Sequence, residues 1–173
     1  MKKVGWCLWL VLAMPSMALS ADRGDGTYYC TVKFVAGIAY NKARKEWQAA
    51  TFKPSRNFVI KLSFRETTKL QIAGLTQEYD EYDVAVTAEG KSSATPCLGF
   101  DGKPPSLTND PPFYMPDQTK VLTCGLQSGT LSQYEFNVVN HRFLEIYTAG
   151  YVDGGDDNSD TPAISGGLCS KVQ

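Results

Sequence analysis

The chain has one histidine, His141, and that scarcity removes much of the usual catalytic chemistry. A serine nucleophile needs a neighbouring base, and no Gly-x-Ser-x-Gly sequence is present for His141 to serve. His141 follows Asn140 in what reads as a two-residue turn between apolar strands, where a histidine is ordinarily just solvated. Zinc of the usual kind needs roughly three or four His, Cys or carboxylate ligands. The chain offers no Cys-x-x-Cys pair and no second histidine. No catalytic residue, metal or cofactor is therefore assigned. A sustained 3.6-residue apolar period is also missing, which excludes a helical bundle and leaves at most a short helix near residues 41–46. No internal repeat is present, and no long apolar run follows the first.

That first run has the three parts of a secretory signal. Lys2 and Lys3 precede an apolar core over residues 4–14, and Ala18 and Ser20 are small residues at the spacing of a cleavage site. Cleavage is expected after Ser20, with Ala21 the second choice. A core this short does not cross a bilayer of about 30 Å as a helix. Cys7 lies too early, and after the bulky Trp6, for a lipoprotein. The sequence thus reads as a signal peptide over residues 1–20 and one β-domain over residues 21–173, periplasmic or secreted, with no integral membrane segment after signal removal.

With Lys2 and Lys3 gone, 15 basic residues face 18 acidic ones, a net charge of −3 that disfavours nucleic acid as a partner. The charge is uneven: residues 22–69 hold ten basic and four acidic residues, and residues 70–173 hold five and fourteen. Pairing of the two halves as neighbouring strands is the preferred explanation; a basic docking face is the other.

Four cysteines remain, Cys30, Cys97, Cys124 and Cys169. An even number in an exported chain reads as two disulfides, with three connectivities open. Cys30–Cys169 and Cys97–Cys124 are favoured. The first pair sits in the first and last strands, which a closed antiparallel sheet brings together. The second joins a long irregular stretch to the strand after it.

Apolar alternation is the main structural signal. Phe58, Ile60, Leu62 and Phe64 face one way, and Lys61, Ser63 and Arg65 the other. Tyr28, Cys30, Val32 and Phe34 form a similar stripe, with a bulge expected at Gly37. Ser128-Gly129 and Asn140-His141 read as hairpin turns. Many short strands in one domain make an all-β fold, an antiparallel β-barrel with a β-sandwich as the alternative. Residues 91–118 carry six prolines (Pro96, Pro104, Pro105, Pro111, Pro112, Pro116) and read as a Pro-rich flap over one end.

Several residues have the chemistry of a site. With Asn140-His141 as the turn, Phe136 lies opposite Glu145 and Tyr134 opposite Tyr147. Glu145 would then stand among Tyr134, Phe136, Phe143 and Tyr147, surroundings in which a carboxyl works as a general acid. The preferred reading buries Leu144 and Ile146 instead and leaves Glu145 in solvent, with no partner carboxylate. Asp156, Asn158 and Asp160 alternate as in calcium loops, but Thr161 stands where such a loop needs glycine and no Glu closes it. A plain hairpin loop is preferred. Arg23-Gly24-Asp25 is the integrin tripeptide, and Pro111-Pro112-Phe113-Tyr114 has the form read by WW domains. Both are short enough to arise by chance. Trp47 is expected to pack in the core or close an end of the barrel.

Gly26-Thr27-Tyr28-Tyr29-Cys30, then Trp47, Phe52 and Phe58, and the last strand Gly166-Gly167-Leu168-Cys169-Ser170-Lys171 resemble a group of small exported proteobacterial proteins of unknown function. The resemblance implies a periplasmic or secreted β-domain and no activity. Gly26-Thr27-Tyr28-Tyr29 is also similar to the Gly-x-Trp opening of lipocalins, with Tyr28 in place of the Trp. The function expected is that of a non-enzymatic binding module, protein-docking or inhibitor-like, of undetermined target. The alternative is a calycin-like carrier of a small apolar ligand in a cavity of about 300–1,000 Å³. A hydrolase using Glu145 comes third.

Overall fold

The structure is a computed structural model that describes residues 23–54, 56–72, 74–99, 101–108, 120–126, 132–152 and 154–172. The signal peptide, the Ser128-Gly129 turn and the Pro111-Pro112-Phe113-Tyr114 motif lie outside the described residues, as does part of the Pro-rich stretch. Ten strands run in the order β1 (Gly26–Asn41), β2 (Glu46–Phe52), β3 (Phe58–Ile72), β4 (Leu75–Ala88), β5 (Thr95–Leu98), β6 (Ser106–Thr108), β7 (Val121–Leu126), β8 (Ser132–Asn137), β9 (Arg142–Tyr147) and β10 (Ala163–Lys171) among the described residues. Eight of them close a ring: β1, β3, β4, β5, β7, β8, β9 and β10, each antiparallel to the next, with β10 returning to β1. The short helix expected near residues 41–46 is absent. Residues 42–45 form a turn in which the Asn41 side chain accepts from the Ala43 and Arg44 amides.

Alternation builds the interior. Phe58, Ile60 and Leu62 are buried in the ring and Phe64 packs against them, while Lys61 and Arg65 face out. Tyr28 and Cys30 point in, and Val32 packs on the same core. The stripe does not continue to Phe34. The register slips between Val32 and Phe34, which makes Lys33 the extra residue of a bulge. Phe34 is thereby turned out, 52% exposed, over Gly166. Gly37, where a bulge was expected, pairs regularly with Ala50 on β2 and Ala163 on β10. Its lack of a side chain makes room for the Pro162 carbonyl.

β1 changes partner along one edge. Gly26–Cys30 pairs with β3, and Val35–Asn41 pairs with β2, so the β1–β2 hairpin runs past the ring. Asn57 fills the switch point: its side-chain oxygen accepts from the Val32 amide at 3.3 Å and its amide donates to the Tyr29 hydroxyl at 2.9 Å. Trp47 stands on this hairpin rather than in the ring. Its indole N–H donates to Asp156 at 2.9 Å and its ring meets Tyr40 and Tyr151. Basic and acidic halves do pair across β3 and β4, through Arg65–Asp83 at 3.2 Å and Lys69–Glu78 at 2.6 Å. These pairs are exposed and contribute little to stability.

Two disulfides cross the ring, one where the first and last strands meet and one at its shortest ladder. Cys30 and Cys169 are direct register partners across β1 and β10, where the two ends of the chain meet, and they are bonded. Gly167 lets the strands approach there, since a side chain on it would strike the Thr31 carbonyl. The β5–β7 ladder has only two register pairs, Cys97 with Leu126 and Leu98 with Gly125, and the Cys97–Cys124 bond reinforces it. Both disulfides are the pairs favoured from the sequence.

One end of the ring is plugged. Tyr28 donates to the Gly24 carbonyl at 2.7 Å and Tyr82 donates to the Arg23 carbonyl at 2.5 Å. The Arg23 guanidinium lies 4.2 Å from the centre of the Phe64 ring, and Asp25 accepts from the Phe64 amide at 2.6 Å. Arg23-Gly24-Asp25 is thus laid down against the ring, not presented on a projecting loop. Burial, then the charges of Asp80 and Asp25, push the Tyr82 hydroxyl up to about 12. An unfolded tyrosine loses its proton near pH 10, at about 10 on the reference scale. The buried phenol therefore contributes stability that is complete below that pH and is lost as pH rises toward the folded value. Urea midpoints should stay level through neutral and mildly alkaline pH and fall between about pH 10 and about 12. Tyr82→Phe should show a shallower fall; identical slopes would assign the loss to other groups.

Candidate functional site

The opposite end is open. A cavity of about 830 Å³ is bordered there by the start of β10, the ends of β7 to β9 and the link between β2 and β3. Val32, Val35 and Phe58 give it apolar walls, and Tyr134, Glu145 and Ser165 a polar floor. Arg56, Tyr147 and Asp160 also line it.

The floor follows from the register. β8, β9 and β10 are neighbours, and Tyr134 and Ser165 are the register partners of Glu145 on either side. Directly opposed side chains on one sheet face stand about 4.5–5.5 Å apart at Cβ, within reach of one another. The Tyr134 hydroxyl donates to Glu145 Oε1 at 2.8 Å and the Ser165 hydroxyl donates to Oε2 at 3.0 Å. Burial, followed by the Glu145 charge and this hydrogen bond, pushes the Tyr134 phenol well above its usual range, so it keeps its proton and remains a donor. Glu145 is thus a carboxylate braced on both oxygens.

This corrects the preferred reading of the sequence, which left Glu145 in solvent. The β8–β9 connection is longer than two residues: residues 138–141 form it, and Phe136 pairs with Phe143 and Tyr134 with Glu145. The register moves by two residues, so faces are preserved and Glu145 does lie among the aromatics. Leu144 and Ile146 face outward, Leu144 exposed and Ile146 partly covered. Two features allow the inward carboxylate. The facing side of β10 is small, with Ser165 and Gly167, and two hydroxyls replace water around the charge. Ser165 was not singled out from sequence; its place among Ser165, Gly167 and Cys169, all small at every second position, was the available signal.

His141 is remote from this floor. It closes the β8–β9 turn with φ 58°, its carbonyl accepts from the Cys169 amide, and its ring meets Tyr28 and Phe136. It is a packing residue of the plugged end, only half-buried, where the sequence suggested simple solvation. The acidic loop spends its side chains on separate partners. Asp156 accepts from Trp47, Asn158 exchanges bonds with the Tyr40 backbone, and Asp160 accepts from the Tyr147 hydroxyl at 2.7 Å. The Ser159 amide, donating to Asp157, holds that carboxyl below the usual range. No group of three or more potential metal ligands occurs among the described residues, and no described helix is long and apolar enough to cross a membrane. Comparison with protein-family models, with curated proteins and with solved structures finds no match, so the functional reading rests on the geometry of this cavity.

Proposed function

We propose that the protein is an exported, non-enzymatic binding module, that its closed ring is a small calycin-like β-barrel, and that its open end is the binding site. The observation that carries this is the cavity of about 830 Å³ with a braced carboxylate in its floor. Its volume falls within the usual range for ligand sites, about 300–1,000 Å³, and its mixture of apolar walls and few convergent polar groups is their usual make-up. Two buried disulfides fit an oxidising compartment, periplasmic or extracellular. The likeness of the first and last strands to small exported proteobacterial proteins supports the same placement. The ligand is a small molecule or a side chain inserted by a partner protein; a purely apolar ligand suits the charged floor poorly.

The test is a titration of the isotope-labelled, disulfide-intact protein with fractionated periplasmic extract, followed by amide shifts. Shifts should concentrate at Val35, Thr95, Glu145 and Ala163, and Ala163→Phe, which narrows the mouth, should abolish them. Shifts confined to other surfaces would overturn the reading. A hydrolase is the second reading, favoured by Asp160 lining the same cavity as Glu145. Glu145→Gln compared with wild type on glycan and ester panels decides it, and equal rates would remove it.

A further inference from the structure

We propose that this cavity takes a cation, a primary amine or a guanidinium carried on an apolar stem, with its charge seated on Glu145. The inference rests on the open end of the ring being the binding site and adds the chemistry of what enters. The floor has spent its donors. Both hydroxyl protons, from Tyr134 and Ser165, are directed onto the Glu145 carboxylate. What the floor still presents to the cavity is acceptor capacity: the remaining lone pairs of the carboxylate and of the two hydroxyl oxygens. No ion pair engages Glu145 among the described residues; the four that occur there are Arg44–Glu46, Arg65–Asp83, Lys69–Glu78 and Asp101–Lys103. Glu145, itself partly exposed to the cavity, stands between buried Tyr134 and buried Ser165, where low-dielectric walls weaken the screening that a fully exposed carboxylate has.

The rest of the cavity agrees with a cation on a stem. Val32, Val35 and Phe58 offer an apolar path from mouth to floor, which suits the methylene chain of an amine. Asp160 places a second carboxylate on the wall, held by the Tyr147 hydroxyl at 2.7 Å as Glu145 is held by Tyr134. The cation in the lining is Arg56, which is exposed, whereas the groups that brace Glu145 are buried. Arg56 and Asp160, both exposed, offset one another at the mouth, and the charge at the floor is that of Glu145, against which an anionic ligand would have to end. The same chemistry is offered by a free aliphatic amine and by a lysine or arginine side chain of a partner.

The experiment is titration of the oxidised, periplasmically produced protein with cadaverine, capped lysine methylamide, pentanediol and hexanoate, read by amide shifts of cavity residues. Cadaverine or the capped lysine should bind at least about tenfold more tightly than pentanediol, the diol of matching length, as hydrogen bonds to charged groups outweigh neutral ones. Glu145→Gln should remove that advantage. Stronger binding of cadaverine points to a free amine, and stronger binding of capped lysine to a protein side chain; either upholds the inference. Equal binding of pentanediol, tighter binding of hexanoate, or an unchanged cadaverine affinity in Glu145→Gln overturns it. The cadaverine–pentanediol comparison needs no variant and stands if Glu145→Gln fails to fold. Hexanoate or pentanediol filling the cavity would leave the binding-site reading intact while this inference falls. Failure of every probe overturns the inference, and the binding-site reading is then judged by the extract titration alone.

Discussion

Replacing Cys30 and Cys169 together with alanine should destabilise the protein by about 5 kcal/mol, against about 5–15 kcal/mol for a typical whole domain. The bond spans 139 residues of chain, and the chain-entropy account assigns the largest effects to the longest loops. It also joins β1 to β10, the seam that closes the ring between the first and last strands. Removing Cys97 and Cys124 opens a loop of 27 residues and should cost about 3–4 kcal/mol. Alanine is the better replacement than serine. All four sulfurs are buried, and a buried hydroxyl without a partner would add a cost of its own. Urea unfolding of the two paired variants measures both effects, and peptide mapping without reductant checks the bonds in the wild type. Production in a reducing cytoplasm should give aggregating protein, and periplasmic production soluble protein free of thiols. A smaller loss for Cys30/Cys169 than for Cys97/Cys124 would show that the seam is held by something other than its crosslink.

The pairing was legible because one pair of cysteines sits in the first and last strands, which antiparallel closure brings together, and the other joins a long irregular stretch to the strand that follows it. Phe58 to Phe64 was legible for a related reason: on β3 one face is wholly apolar and the other, after Val59, carries Lys61, Ser63 and Arg65, and period-two alternation admits one orientation. β9 was harder. Phe143, Glu145 and Tyr147 alternate with Leu144 and Ile146, so both faces carry apolar residues and the strand alone does not choose. The choice is made by its neighbours, Tyr134 and Ser165, which satisfy the carboxylate that would otherwise be driven out. That information lies 11 and 20 residues away in the chain and needs the register to be read. The bulge at Lys33 was hidden because Tyr28 to Phe34 alternates without fault in sequence; only pairing with the glycines of β10 reveals the slip. Trp47 misled through its size. A lone large aromatic reads as core, yet the β1–β2 hairpin carries it past the ring to Asp156 and Tyr151.

Truncation of Tyr28 to alanine should cost about 3–5 kcal/mol, the usual loss for a large buried aromatic. The side chain is 1% exposed. Its ring stands edge-on to Phe136 at 5.0 Å and to His141 at 5.4 Å, and the Lys171 ammonium lies 5.9 Å from its centre. Through its hydroxyl it also ties down the Gly24 carbonyl and with it the segment that covers the plugged end. These two contributions separate by mutation. Tyr28→Phe keeps the ring and removes the hydroxyl with its bond to the Gly24 carbonyl, so it should cost about 1 kcal/mol. Tyr28→Ala loses the aromatic contacts as well and leaves a cavity between β1 and β8 that the surrounding strands, fixed by the Cys30–Cys169 bond one turn of the pleat away, are poorly placed to collapse into. Urea unfolding of both variants at neutral pH gives the difference directly. A Phe variant as unstable as the Ala variant would move the weight from packing to the Gly24 hydrogen bond. The plugged end would then be held by its polar tether, with the aromatic cluster contributing little.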